Sequence, residues 1–337
     1  YVRGQTFQDG STMNNCTPNI TEGVQVFFMA VSIPTCILGF LCNITILVLF
    51  FRQWKEWNDM KVYLTNMAFA DLCVVLVMPI KMYSYSHTWS LPAESCFVLV
   101  STFYVNTYVS IYIATAISLL RCMAVKYPFR AKSFMSPRKA LVVCVLIWLV
   151  ICSLSAALHI TQYPEDPENN QQVRCFQKNR EKPLPAHFIS IIIVVGYLIP
   201  LIIITCCYAQ VLYTLSRKGR VQGQTGHAQS INIIGANLVT FIVCFLPFHF
   251  GFLFKYVAEE FWPADCHLTQ VAHNLVHVAL TMSNTNCCLD AISYYFMCVA
   301  HKSATNGQVV SRYNHSYRHC NHVGSSWIKP SVRLKKI

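Results

Sequence analysis

Charge is scarce in this chain, and acid is scarcer than base. Of its 337 residues only 12% are charged and 54% are hydrophobic; an ordinary soluble domain carries about twice that share of charge. Acidic residues number 14 against 26 Lys and Arg. The ~10-residue alternating segments of a transmembrane barrel are absent. There is no Gly-rich phosphate loop, no Ser/His/Asp ordering and no acid pair of glycosidase type, so an enzyme has nothing to stand on. No basic-aromatic soluble module accompanies the net charge of +12, which argues against nucleic acid. No chain of acids crosses the apolar segments, as a proton pump would need. Internal repeats and paired midplane interruptions, the marks of a transporter, are missing too.

What the chain has is seven long apolar runs, at about 24–51, 62–85, 96–120, 140–160, 187–214, 231–257 and 269–297. Roughly 20 apolar residues span the ~30 Å hydrocarbon core of a bilayer. Backbone polar groups find no water there, so continuous helices are the expected spanning element. The expectation is an all-α, seven-transmembrane helix bundle over residues 24–297, preceded by a segment at 1–23 and followed by a basic, disordered tail at 298–337. An odd number of spans puts the termini on opposite faces.

Charge asymmetry orients the bundle. Segment 52–61 holds Arg52, Lys55 and Lys61, and segment 121–139 holds Arg121, Lys126, Arg130, Lys132, Arg138 and Lys139 with no acid. Segment 215–229 adds Arg217, Lys218 and Arg220, and the tail after Met297 is basic without Asp or Glu. By the positive-inside rule these are cytoplasmic and the N-terminus is outside. The basic inner face then meets anionic lipid and cytosolic partners. Asn15 and Asn19 open glycosylation sequons in the exported segment. No cleavable signal peptide is visible, so the first span is expected to serve as its own signal.

Four of the 17 cysteines fall on the oxidising side: Cys16, Cys96, Cys175 and Cys266. Sequence alone permits three pairings. The expected set is Cys96–Cys175, which would pin the second outer loop over the bundle, with Cys16–Cys266, which would tie the N-terminal segment to the mouth between spans six and seven.

Charges inside lipid cost about 2.5–3.5 kcal/mol each and usually have a task. Asp71 and Asp290 lie within spans two and seven and repel unless a cation or a proton sits between them. With Ser110 and Asn286 as neutral oxygen donors, a Na⁺ pocket is one reading; a protonated carboxyl bonded to its neighbour is the other. Pro34, Pro79, Pro200 and Pro247 each remove a helix hydrogen bond. Phe245 precedes Pro247 by half a turn, an arrangement that lets the inner half of span six swing. Lys81 and Lys255 lie near outer span ends, and with Tyr83, Tyr85, Tyr104, Tyr108, His249, His273 and His277 would line an aromatic, positive mouth suited to an amphipathic anion. Snorkelling to headgroups is the plainer reading of such lysines. His273 and His277 have the i,i+4 spacing of a metal pair but lack a third ligand.

In order along the chain, Asn43 in "GFLCN", Asp71 in "AFADL", Cys96 followed 25 residues later by Arg121, Trp148, Pro200 with Tyr208, "CFLP" at 244–247 and "DAISY" at 290–294 resemble the landmarks of a rhodopsin-like G-protein-coupled receptor. Asp290, the Cys16/Cys266 arrangement and the histidine after "CFLPF" look like its purinergic and lysophospholipid branch, in the group that contains G-protein-coupled receptors 55 and 35. The resemblance implies an extracellular ligand, a lysophosphatidylinositol-like lipid or a small aromatic acid, and a heterotrimeric G protein as cytoplasmic partner. It implies that Arg121, Tyr208 and Tyr294 meet the G protein, that Phe129 inserts into it, that Phe245 and Pro247 form the hinge, and that Na⁺ at Asp71, Ser110, Asn286 and Asp290 opposes activation. Two positions depart from the pattern: Leu120 stands where the family has an acid, and His227 offers none on span six. Raised basal activity is therefore expected; a non-coupling decoy is the alternative.

Overall fold

Glu22–Arg52 forms helix α1, with an acid in its first turn and a base in its last, the arrangement that suits the helix dipole. The computed structural model describes residues 16, 18–52, 55, 57–87, 90–127, 129–131, 135–162, 173–174, 176, 185–218 and 225–291. Helix α2 is Asp59–Ser86, capped by Asn58, whose side chain accepts from the Lys61 N–H at 2.9 Å. Helix α3 is Ala93–Lys126 and α4 is Pro137–Gln162. Helix α5 runs without a break through Ala186–Ser190, a π-helical stretch at Ile191–Leu198, and Ile199–Lys218. Helix α6 does the same through Thr225–Thr240, a π stretch at Phe241–Phe245, and Leu246–Phe261. Helix α7 is Cys266–Asn284, capped by Asp265 accepting from the Leu268 N–H at 2.9 Å.

Six of the described helices are long and apolar enough to cross a membrane. The most polar is α7, which turns Thr269, His273, Thr281, Ser283 and Asn284 inward. Lipid-facing side chains stay apolar: Leu141, Val145, Leu149 and Val150 of α4 are about half exposed or more. Hydroxyls inside the spans fold back on their own helix, as with Thr35 onto the Val31 carbonyl at 2.7 Å and Thr115 onto Ile111 at 2.7 Å. In hydrocarbon there is no water to take their place.

One expectation needs correction. Span seven is not one uninterrupted helix over 269–297. It starts at Cys266 and breaks at Thr285, whose hydroxyl and backbone N–H are both drawn to the Met282 carbonyl, before resuming over 286–291. The bundle is all-α as expected, and beside it stands one short antiparallel pairing, with Ser90 opposite Arg174 and Leu91 opposite Val173. That pairing lays the segment before Cys175 across the start of α3. The π stretches end just before Pro200 and Pro247, where proline already denies the regular hydrogen bond.

Asn43 explains its landmark position. Its side-chain amide donates to the Gly39 carbonyl and to the Cys287 carbonyl, both at 3.0 Å, and so ties α1 to the segment after α7. Gly39 permits the approach: a Cβ there would lie 3.0 Å from both Cys287 Sγ and Val75 Cγ2.

The disulfide Cys16–Cys266 is present, and the chain after it runs along α7. Gln270 exchanges two hydrogen bonds with the backbone of Asn19, at 3.1 and 2.6 Å. Cys96 is also disulfide-bonded; its expected partner, Cys175, lies outside the described residues, as does Asn15. Replacing Cys16 and Cys266 together by Ser should lower the thermal denaturation midpoint of the solubilised protein by roughly 5 °C or more, since a native disulfide is typically worth about 2–4 kcal/mol. An unchanged midpoint would show that the Gln270 contacts hold the segment alone.

Candidate functional site

At the end of the bundle that carries the Cys16–Cys266 bridge, Lys81 is buried to 2% exposure. Its ammonium sits 5.1 Å from the ring centre of Phe28 and 4.6 Å from that of Phe103. A desolvated cation–π contact is worth about 2 kcal/mol, while taking an ammonium out of water costs several kcal/mol. The described residues put no carboxylate in salt-bridge contact with it. Lys255, by contrast, pairs with Glu259, 3.5 Å apart and one turn along the same helix.

Around Lys81 the site is aromatic. Tyr85 stacks on Phe28 at 4.4 Å, and its hydroxyl meets His277 Nδ1 at 2.8 Å. His273 lies 4.7 Å from His277, ring to ring, and both of its nitrogens are buried without a hydrogen bond among the described residues. Phe176 abuts Phe103 edge-on at 5.9 Å and has a positive φ of 67°, a costly conformation for a bulky residue that packing must hold. Tyr104 faces Phe248 and Phe252 at 6.3 and 6.1 Å. The residues named from sequence thus divide. Lys81, Tyr85 and His277 converge. His249 does not sit at a mouth: it is buried, its Nδ1 donates to the Phe245 carbonyl at 2.8 Å, and its ring stacks on Tyr197 at 4.6 Å beside Tyr108. Lys255 has its charge already answered by Glu259. Sequence reading missed Phe28, Phe103 and Phe176, because helix rotation and loop path carry no local signal in an all-apolar run.

Deeper in the bundle Asp71 is fully buried, and its Oδ2 has no hydrogen bond among the described residues. The Ser110 hydroxyl is likewise buried and unmet. Asn286 donates to Asp290 Oδ2 at 3.4 Å, and Asp71 and Asp290 repel one another. Asn106 joins them: in the orientation that satisfies its amide, the nitrogen donates to Asp71 Oδ1 at 3.2 Å and to the Ala70 carbonyl at 3.3 Å. Its spacing, four residues before Ser110, was the signal that could have found it. Two carboxylates, a hydroxyl and amide oxygens are hard donors of the kind that suit a small cation, and the unmet Asp71 and Ser110 oxygens fit one.

Toward the opposite end, Arg121 and Tyr208 are half-buried. Tyr208 lies against α6, where a Cβ on Gly235 would stand 3.4 Å from its ring. Phe129 is 91% exposed. Phe245 is buried and meets Phe241 edge-on at 5.5 Å. Tyr294 lies outside the described residues.

The family described as 7 transmembrane receptor (rhodopsin family) matches residues 42–294. Mouse (Mus musculus) G-protein coupled receptor 35 is 31% identical over 290 residues, covering 85% of this chain and 90% of the relative. Human (Homo sapiens) cysteinyl leukotriene receptor 1 is 30% identical over 77% of this chain and 78% of its own length. Chicken (Gallus gallus) lysophosphatidic acid receptor 6 is 29% identical over 77% of this chain and 86% of its own. With the helices and buried polar sites described above, these matches show that the chain belongs to the rhodopsin family of seven-transmembrane receptors, multi-pass plasma-membrane proteins that are receptors and not enzymes.

Proposed function

We propose that this receptor takes an anionic, amphipathic ligand at Lys81 from the extracellular side, with a lysophosphatidylinositol-like lipid favoured, and activates a heterotrimeric G protein when α6 opens. The observation that carries the reading is the Lys81 ammonium, buried between two ring faces with no acid in contact among the described residues. An anion is the one partner that would offset its lost hydration. Two relatives are named as receptors for lysophosphatidic acid and for cysteinyl leukotriene, each an amphipathic acid.

Ligand binding shifts the population toward an arrangement in which α6 pivots at the π stretch and Pro247. Arg121 and Tyr208 then meet the G protein, with Tyr294 beside them, and the exposed Phe129 enters an apolar pocket on it. The bundle is one domain, 24–297, with the N-terminus outside and the tail at 298–337 in the cytosol. In cells expressing the chain, lysophosphatidylinositol should evoke G-protein activation, and Arg121→Ala should reduce that response to background at matched surface level. Silence of the parent chain at the surface would favour a decoy that binds without coupling. A full response from Arg121→Ala would refute the assigned role of Arg121.

A further inference from the structure

One turn from His277 on α7 stands His273, a buried side chain with both ring nitrogens to offer. It is 4% exposed, and neither nitrogen has a hydrogen bond among the described residues. A buried polar group left unmet costs stability, and native proteins hold few of them. We propose that His273 reads the headgroup of the ligand, bonding hydroxyls of a polyol that is joined to the anion at Lys81. This role rests on the reading of Lys81 as the anion site and adds the class of headgroup.

A continuous run of contacts leads from Lys81 to His273. The Phe28 ring lies against both the Lys81 ammonium and the Tyr85 ring, at 5.1 and 4.4 Å. Lys81 and Tyr85 are four residues apart on α2 and share a face. The Tyr85 hydroxyl meets His277 Nδ1 at 2.8 Å, and the His277 ring lies 4.7 Å from that of His273. Each step leads toward the Cys16–Cys266 bridge, because His273 precedes His277 by one turn in a helix that starts at Cys266. A ligand with its anion at Lys81 and its headgroup turned toward the bridge therefore reaches His273.

The chemistry of the ring selects the headgroup. With no carboxylate in salt-bridge contact among the described residues, the buried imidazole is neutral. A neutral ring has one N–H to donate and one bare nitrogen that accepts. A simple phosphate or carboxylate offers acceptors only and would leave the bare nitrogen unmet. A hydroxyl serves either nitrogen, whichever tautomer is present, and a polyol brings several. His277 already has a partner in Tyr85, so His273 is the group left for this task.

The test is displacement of radiolabelled lysophosphatidylinositol from membranes that hold the receptor, by two unlabelled lipids. One is lysophosphatidylinositol. The other is lysophosphatidylmethanol, which keeps the acyl chain and the phosphodiester charge and lacks the polyol ring. The parent should prefer the first by about 10-fold or more, the worth of a hydrogen bond to a buried polar group. His273→Phe should remove most of that preference by weakening the first lipid alone. His273→Gln, which both donates and accepts, should keep more of it than Phe does. Lys81→Met should weaken both lipids and leave their ratio unchanged, as would any merely structural change at His273. If His273→Phe fails to reach the membrane, His273→Leu removes the same nitrogens and answers the same question. A parent without preference, or a preference that survives loss of the imidazole, would overturn the proposal. Where Lys81→Met weakens both lipids and His273→Phe leaves their ratio alone, this inference alone falls. Where neither lipid binds the parent, or Lys81→Met binds both as the parent does, the anion site falls with it.

Discussion

Replacement of Lys81 by Met should weaken lysophosphatidylinositol potency by about 30-fold or more, while the receptor still reaches the cell surface. Met keeps the length and apolar stem of the side chain and removes only the charge. The ammonium is buried between Phe28 and Phe103, so its field acts with little screening by water. Removing one member of a buried charge pair costs about 2–5 kcal/mol, and 1.4 kcal/mol is tenfold in affinity. The free receptor has the opposite interest: with no acid in contact among the described residues, Lys81 is a net cost there, so the variant should be at least as stable as the parent. Loss of potency with gain of thermal stability is the signature of a residue kept for a ligand. Lys255→Met supplies the contrast. Lys255 is partly exposed and paired with Glu259, and such pairs are worth about 1 kcal/mol or less. Its removal should change potency by about 5-fold at most. Equal potencies for parent and Lys81→Met would discard the anion site. If an aromatic carboxylic acid activates the receptor where the lipid does not, the same dependence on Lys81 should hold, because both ligands present an anion.

Much of this architecture was legible in the sequence because lipid imposes a simple rule on composition. The apolar runs located each helix, though not the break in the seventh, and the polar residues stranded inside them, Asp71, Asp290 and Lys81, marked the places where the bundle holds something other than hydrocarbon. Rotation about each helix axis was not legible. In runs that are apolar all round, such as that holding Phe28, no periodicity separates the face toward lipid from the face toward the bundle. That is why the ring cage around Lys81 went unseen and why His249 was placed at the mouth instead of against Tyr197. The break at Thr285 was hidden for a related reason: a hydroxyl that captures a carbonyl is indistinguishable in sequence from one that bonds back along its own helix.

Sodium ions should stabilise the solubilised receptor against heat relative to choline at the same ionic strength, and Asp71→Asn should abolish the difference. Asp71 is fully buried beside Asp290, and the two carboxylates repel. Either a proton or a cation must answer them. A shared proton would place the carboxyls in hydrogen-bond contact, yet the contacts they make are to amides: Asn286 to Asp290, and Asn106 to Asp71. Asp71 Oδ2 and the Ser110 hydroxyl remain buried and unmet among the described residues. Those two oxygens, with Asp290 and the amide oxygen of Asn286, would hold Na⁺. A site at tenfold excess of ion over its Kd stabilises by about 1.4 kcal/mol, a few degrees in midpoint. In Asp71→Asn the repulsion is relieved without an ion, so the variant's midpoint in choline should lie above that of the parent in choline and should not move on adding Na⁺. Ser110→Ala, which removes a neutral donor and leaves both charges, should keep the direction of the Na⁺ effect and reduce its size. A parent receptor indifferent to Na⁺ would instead assign the pair a proton, and Asp71→Asn would then stabilise by removing the need to take that proton up.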